Sequence, residues 1–120
     1  MASKGCIVIA EPKDLIRELL ERWLAEAGYE TVPVSRFPEF PMVSPRLVIA
    51  DISDPLSAGA TIEGLRAAYV APILALSARF RRGLFGSVEP AARLHVAKVL
   101  PKPFTHQQLL RAVRETLKEA

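Results

Sequence analysis

The chain has 120 residues, half of them hydrophobic, and a formal net charge of +3. This length suits one domain with a single core, residues 1–120, and is too short for two. No run of like charges resembles a nucleic-acid-binding arm, so direct nucleic-acid binding is not expected. The lone cysteine, Cys6, excludes an internal disulfide, and no segment resembles a membrane span or a signal peptide. We therefore expect a cytoplasmic protein with no membrane contact.

Apolar patterning in the first half predicts strands separated by irregular or helical segments. Residues 6–10 (CIVIA) form a β-branched run, and the amphipathic helix that follows ends near Gly28, which suits the C′ position. Residues 29–34 predict a second strand, and Pro33 favours an edge position because it has no N–H to donate. Three prolines between residues 35 and 45 leave room for no more than a turn or two of helix.

The second half predicts a regular alternation of strands and helices. The expected elements are a strand over 47–50, a helix over 58–69, a strand over 71–76, a short helix over 88–94, a strand over 97–100 and a last helix from 105 onward. Thr105 and Gln108 form a capping box for that helix. Such alternation implies right-handed crossovers and a parallel sheet.

Four polar residues stand at the carboxyl ends of predicted strands: Glu11, Asp51, Ser77 and Lys102. Because parallel strands end at one edge of a sheet, we expect these side chains to converge. A carboxylate can accept a phosphoryl group as an acyl phosphate, and an ammonium or a hydroxyl can bind its oxygens. Ser77 fits equally well as a small packing residue, and Glu11 as a solvated acid at a helix start. The set predicts phosphoryl chemistry at Asp51.

At these residues the chain resembles the receiver domains of two-component response regulators. The resemblance covers nearly the whole chain and is carried by DISDP at 51–55, ALSA at 75–78 and LPKPF at 100–104. It implies a flavodoxin-like (CheY-like) fold with a five-stranded parallel sheet in the order 2-1-3-4-5 and five helices, here with a shortened or irregular second helix. No glycine-rich phosphate loop is present, so a flavodoxin-like enzyme or cofactor carrier is disfavoured and no enzyme activity is expected.

The resemblance also implies residue roles and partners. Asp51 would be the phosphoacceptor, Ser77 the switch hydroxyl and Lys102 the phosphate contact, and the bond from Lys102 to Pro103 would be cis. The implied partners are a histidine kinase or phosphotransfer protein, an output protein or domain, and a second copy of the chain. The output surface would comprise the 88–94 helix, the fifth strand and the last helix.

The chain departs from the family pattern at the implied metal site. Glu11, the phosphoacceptor carboxylate and the backbone carbonyl of Ser53 would bind Mg²⁺. The second acid that the family places after its first strand is Pro12 here, or the pair is Ala10 and Glu11 if one residue is inserted. A single acid remains in either register, so we expect weak or absent magnesium binding. Asp14 is either a substitute ligand or a residue that favours the helix dipole.

A second departure concerns signalling. Val99 occupies the position of the family's switch aromatic, so an aromatic rotation cannot report the state of the site. Two functions therefore follow from the sequence. One is a receiver that is phosphorylated in a phosphorelay, and the other is a pseudo-receiver that binds its partner without phosphorylation.

Overall fold

A computed structural model of the chain describes residues 4–34, 39–54, 56–77 and 96–118. Its strands are β1 (Cys6–Ala10), β2 (Glu30–Pro33), β3 (Leu47–Asp51), β4 (Ile73–Ser77) and β5 (Lys98–Pro101). The helices within the described residues are α1 (Asp14–Glu26), α2 (Ala58–Ala68) and α3 (His106–Leu117). The predicted helix over 88–94 lies outside the described residues.

All five strands run parallel in the order β2-β1-β3-β4-β5, which confirms the predicted flavodoxin-like sheet. β2 is an edge strand, as the proline at its end predicts. The register aligns Ala10 with Ala50, Asp51 with Leu76, and Ser77 with Pro101. Consequently, the residues at the strand ends lie along one edge of the sheet.

The core has two layers because helices cover both faces of the sheet. Ile7 and Ile9 face α1 and α3, whereas Val8 on the same strand belongs to the cluster that includes α2. Burial on both faces explains why the strands read as continuous apolar runs instead of alternating patterns. Within the described residues, none of the helices has the length and apolar character needed to span a bilayer.

Local sequence signals set the helix ends. After α1 the chain turns through Gly28 at a φ of 101°, a left-handed conformation that glycine adopts at little cost, and this confirms the predicted C′ position. At the start of α3, the N–H of Gln108 donates to Oγ1 of Thr105, and the N–H of Thr105 donates to Oε1 of Gln108. This is the predicted capping box.

The crossover from β2 to β3 contains no helix over its described part, residues 39–46. Phe40 packs edge-on against Tyr69 at the end of α2, with ring centroids 6.2 Å apart. The Tyr69 hydroxyl also donates to the carbonyl of Pro41 at 2.6 Å. These contacts anchor an irregular, proline-rich connection where the resemblance implies a helix.

Candidate functional site

Lys102 joins two carboxylates at the carboxyl edge of the sheet. Its Nζ donates to Oε1 of Glu11 at 2.8 Å and to Oδ1 of Asp51 at 2.9 Å. Glu11 directly follows β1, Asp51 ends the neighbouring strand β3, and Lys102 directly follows β5. The sheet therefore brings together three residues that are far apart in the sequence.

The cluster is largely shielded from water. The exposed fractions of the side chains are 11% for Lys102, 10% for Asp51 and 0% for Glu11. Burial lowers the pKa of Lys102, but its hydrogen bonds and charge interactions with Glu11 and Asp51 outweigh burial, so the pKa is raised above 10.5. Lys102 is thus a cation at neutral pH, held between two acids.

The two oxygens of Asp51 have different surroundings. Oδ1 accepts from Lys102 and also from the hydroxyl of Ser53 at 2.6 Å and the backbone N–H of Ser53 at 3.3 Å. Within the described residues, Oδ2 accepts no hydrogen bond. Its lone pairs are therefore available to an incoming group, while Oδ1 fixes the orientation of the carboxylate.

Ser77 ends β4, paired with Pro101 beside Lys102, whereas Val99 lies within β5, paired with Ala75. Ser77 is fully buried, and its carbonyl accepts from the backbone N–H of Lys102 at 3.0 Å. Val99 is 2% exposed and belongs to the core cluster on the α2 face. The peptide bond between Lys102 and Pro103 is cis. The edge thus carries the four polar residues that were predicted at strand ends, whereas Val99 lies in the core.

A cleft of about 580 Å³ opens beside Asp51. Pro12, Asp14, Val34 and Thr61 are among the residues that line it. Asp14 is the first residue of α1, and its side chain is 76% exposed and paired with Arg17 at 2.8 Å. The alternative in which Asp14 favours the start of the helix agrees with this position.

One contact at the site was missed from the sequence. Ser53 was expected to contribute its backbone carbonyl, but its hydroxyl makes the shortest hydrogen bond to Asp51. A short hydroxyl two residues after an aspartate is a signal that could have predicted this bond, because such pairs often bond locally.

The residues at this edge do not form a complete magnesium site. Among the described residues, no three acid, histidine or cysteine side chains are grouped so that they could hold a metal ion. The two carboxylates of the edge, Glu11 and Asp51, already share the Lys102 ammonium. Pro12 lines the cleft and contributes no carboxylate. The donor set is therefore short of oxygen ligands for a hard divalent cation.

Neither a protein-family model nor a curated protein sequence matches the chain. Solved structures do match. A response regulator receiver protein from Burkholderia phymatum is 22% identical with a TM-score of 0.75, and the match covers 98% of both chains. A response regulator from Thermotoga maritima is 14% identical with a TM-score of 0.74, covering 99% of this chain and 100% of that one.

A third match is the non-phosphorylated HemR receiver domain from Leptospira biflexa. It is 20% identical with a TM-score of 0.69, and the match covers 98% of this chain and 97% of that chain. The chain therefore has the fold of response-regulator receiver domains, as its sequence predicts. At these identities the likeness establishes the fold alone.

Proposed function

We propose that this chain is a response-regulator receiver domain of two-component signal transduction, with Asp51 as its phosphoacceptor. The observation that supports this most is the 2.9 Å contact between Lys102 Nζ and Asp51 Oδ1 at the carboxyl edge of a receiver fold. An ammonium at this distance can bind a phosphoryl oxygen once Asp51 is modified.

In the proposed step, a lone pair of Asp51 Oδ2 attacks the phosphorus of a phosphohistidine or of a small acyl phosphate. The new O–P bond gives an acyl phosphate, while the P–N or P–O bond of the donor breaks and its electron pair leaves with the donor group. Ser53 and Lys102 hold Oδ1 during attack. Ser77 is proposed as the switch hydroxyl that donates to a phosphoryl oxygen.

Weak or absent magnesium binding stays a prediction. The ligands implied by the sequence are Glu11, Asp51 and the backbone carbonyl of Ser53. Such a cation would offset the repulsion between an acid and a negatively charged phosphodonor.

The proposed partners follow from the same function. A histidine kinase or phosphotransfer protein would supply the phosphoryl group in the cytoplasm, and an output protein or domain would bind the surface of β5 and α3, to which the sequence also assigned the predicted helix over 88–94. A second copy of the chain is the further candidate for this surface. β5 leads directly into Lys102, so a change at the site has a short route to this surface.

A second candidate function is favoured by the charge balance of the site. The charge of Lys102 balances one of the two acids, Glu11 and Asp51, so the site carries less unbalanced negative charge for a divalent cation to offset. The chain also has Val99 at the position where the family has its switch aromatic, so no aromatic ring can rotate there. A pseudo-receiver that binds its partner through its unmodified surface would have these properties.

Incubation with a small-molecule phosphodonor, followed by intact-mass measurement, separates the two candidates. For a receiver we expect one added phosphoryl group on the wild type and none on Asp51→Asn. The matched control is Asp54→Asn, since Asp54 lies in the loop that follows Asp51, is exposed, and accepts a hydrogen bond from the backbone N–H of Leu56. A wild type that stays unmodified with and without Mg²⁺ would leave the pseudo-receiver as the function.

A further inference from the structure

Glu11 is the most enclosed charged side chain of the site. Its exposed fraction is 0%, and both carboxylate oxygens accept hydrogen bonds from the protein. Oε1 accepts from Lys102 Nζ at 2.8 Å, and Oε2 accepts from the backbone N–H of Lys13 at 3.2 Å. From these contacts we propose that Glu11 is a positioning residue for Lys102 and does not serve as a cation ligand.

The first reason is the cost of burying a charge. A carboxylate that is fully removed from water is tolerated when a cation and hydrogen-bond donors compensate for the lost hydration. Lys102 and the backbone of Lys13 supply both for Glu11. Withdrawing Lys102 from Glu11 would leave a buried negative charge with one backbone donor, so this ion pair should persist in the folded protein.

The second reason is the way in which magnesium binds. Mg²⁺ keeps several of its waters and accepts carboxylates that reach it from a solvated cleft. Asp51 meets this requirement, because its Oδ2 accepts no hydrogen bond from the described residues. Glu11 is also among the residues that line this cleft, but its side chain is 0% exposed and both of its oxygens already accept hydrogen bonds from Lys102 and Lys13.

The consequence is a fixed place for the Lys102 ammonium. Lysine has a flexible four-carbon stem, so an ammonium with one anchor samples several positions. Glu11 follows β1 and Asp51 ends the adjacent strand β3, and together they hold Nζ at two points. This part of the proposal rests on the proposed function, because a fixed ammonium accelerates phosphoryl transfer only if Asp51 is the acceptor. The placement itself exists in the unmodified protein.

The experiment measures the Lys102 ammonium directly by ¹H–¹⁵N correlation at low temperature, with the signal assigned by its loss in Lys102→Met. We expect the signal to be lost or strongly shifted in Glu11→Gln, which keeps the shape of the side chain but removes its charge. Glu115→Gln is the matched control, since Glu115 forms a 2.8 Å pair with Lys98 on the surface. That variant should leave the Lys102 signal unchanged.

A magnesium titration of the wild type keeps the proposal falsifiable even if Glu11→Gln does not fold. We expect the Lys102 ammonium signal to remain observable at saturating Mg²⁺, with at most a shift caused by the cation at Asp51, which also contacts Nζ. Loss of the signal as Mg²⁺ binds would overturn the proposal. So would a loss of about tenfold in magnesium affinity in Glu11→Gln, about 1.4 kcal/mol, with an unchanged Lys102 signal.

Phosphorylation kinetics separate a failure of this proposal from a failure of the proposed function. If Asp51 is the acceptor, phosphoryl incorporation in Glu11→Gln should slow on the order of tenfold at saturating donor, because the ammonium is less well placed. A normal rate in a variant that has lost the Lys102 signal would refute the kinetic role of Glu11. A wild type that accepts no phosphoryl group would refute the receiver function. The ammonium signal would still show whether Glu11 positions Lys102.

Discussion

Replacing Lys102 with methionine should destabilise the fold far more than removing a surface ion pair. Methionine keeps the apolar stem but deletes the ammonium, so Glu11 and Asp51 are left as neighbouring buried acids with exposed fractions of 0% and 10%. Removing one partner of a buried ion pair typically costs about 3–5 kcal/mol. Ser53 still donates to Asp51, which places the expected loss near the lower end of that range.

The matched control is Lys98→Met. Lys98 forms a pair with Glu115 at 2.8 Å, the same length as the contact between Lys102 and Glu11, but the side chains are 32% and 53% exposed. An exposed pair of this kind is worth about 0–1 kcal/mol. The free energy of unfolding of both variants should be measured by urea denaturation at pH 7. Equal losses would refute the argument that burial makes the Lys102 cluster costly to break.

The pH dependence gives a second check. The pKa of Lys102 is raised above 10.5 in the folded protein, so the folded state retains this proton more strongly than the unfolded state. The resulting stabilisation is complete below the unfolded pKa and is lost as the pH rises through the folded pKa. The difference in free energy of unfolding between wild type and Lys102→Met should therefore stay constant from pH 7 towards the ordinary lysine pKa. It should become smaller only in strongly alkaline solution. Narrowing between pH 7 and 9 would contradict the raised pKa.

Three further predictions concern the metal, a helix end and the partner. Pro12→Asp should tighten magnesium binding by restoring the missing second acid after β1. Unchanged or weaker magnesium affinity in a titration would show that the register that places this acid at position 12 is wrong, or that another group supplies the ligand. Thr105→Ala should lower the free energy of unfolding by about 1 kcal/mol through loss of the capping box, whereas Thr116→Ala, which removes a hydroxyl bonded within the same helix to the carbonyl of Ala112, should have a smaller effect. Asp51→Asn should bind an output partner about as tightly as the untreated wild type, and a loss of tenfold or more, about 1.4 kcal/mol, seen only after treatment with phosphodonor would restore the conventional switch.

The architecture could be predicted because each element carries a local signal. Residues 6–10 and 47–50 are apolar without alternation, a pattern that fits strands covered on both faces, and the protein contains such strands. Pro33 correctly predicted an edge strand, and Thr105 with Gln108 correctly predicted the start of the last helix. Strand bounds were less accurate by one or two residues. Asp51 and Ser77, for example, are the last residues of their strands, whereas the patterns ended each strand one residue earlier.

The contacts within the site could not be predicted from these signals. Lys102 meets residues that are 91 and 51 positions away in the sequence, and side-chain conformation decides which oxygen it reaches. The sequence also left Glu11 open between a solvated acid and a site residue. Its full burial depends on the ammonium that covers it, and no local pattern encodes that contact.

The Lys102 ammonium also affects the charge balance at the carboxyl edge, where the chain has Pro12 in place of a further acid. Two carboxylates at adjacent strand ends repel each other, and the repulsion grows as water is excluded. A receiver with a third acid would carry still more negative charge at this edge and would depend more on a bound cation. With Pro12 in the cleft, the charge of Lys102 balances one of the two acids without any metal. The single ammonium therefore offsets part of this repulsion, and its contact with Oδ1 keeps Asp51 oriented. The arrangement is consistent with slow phosphorylation at Asp51 and with partner binding that does not require it, and the Asp51→Asn comparison distinguishes these outcomes.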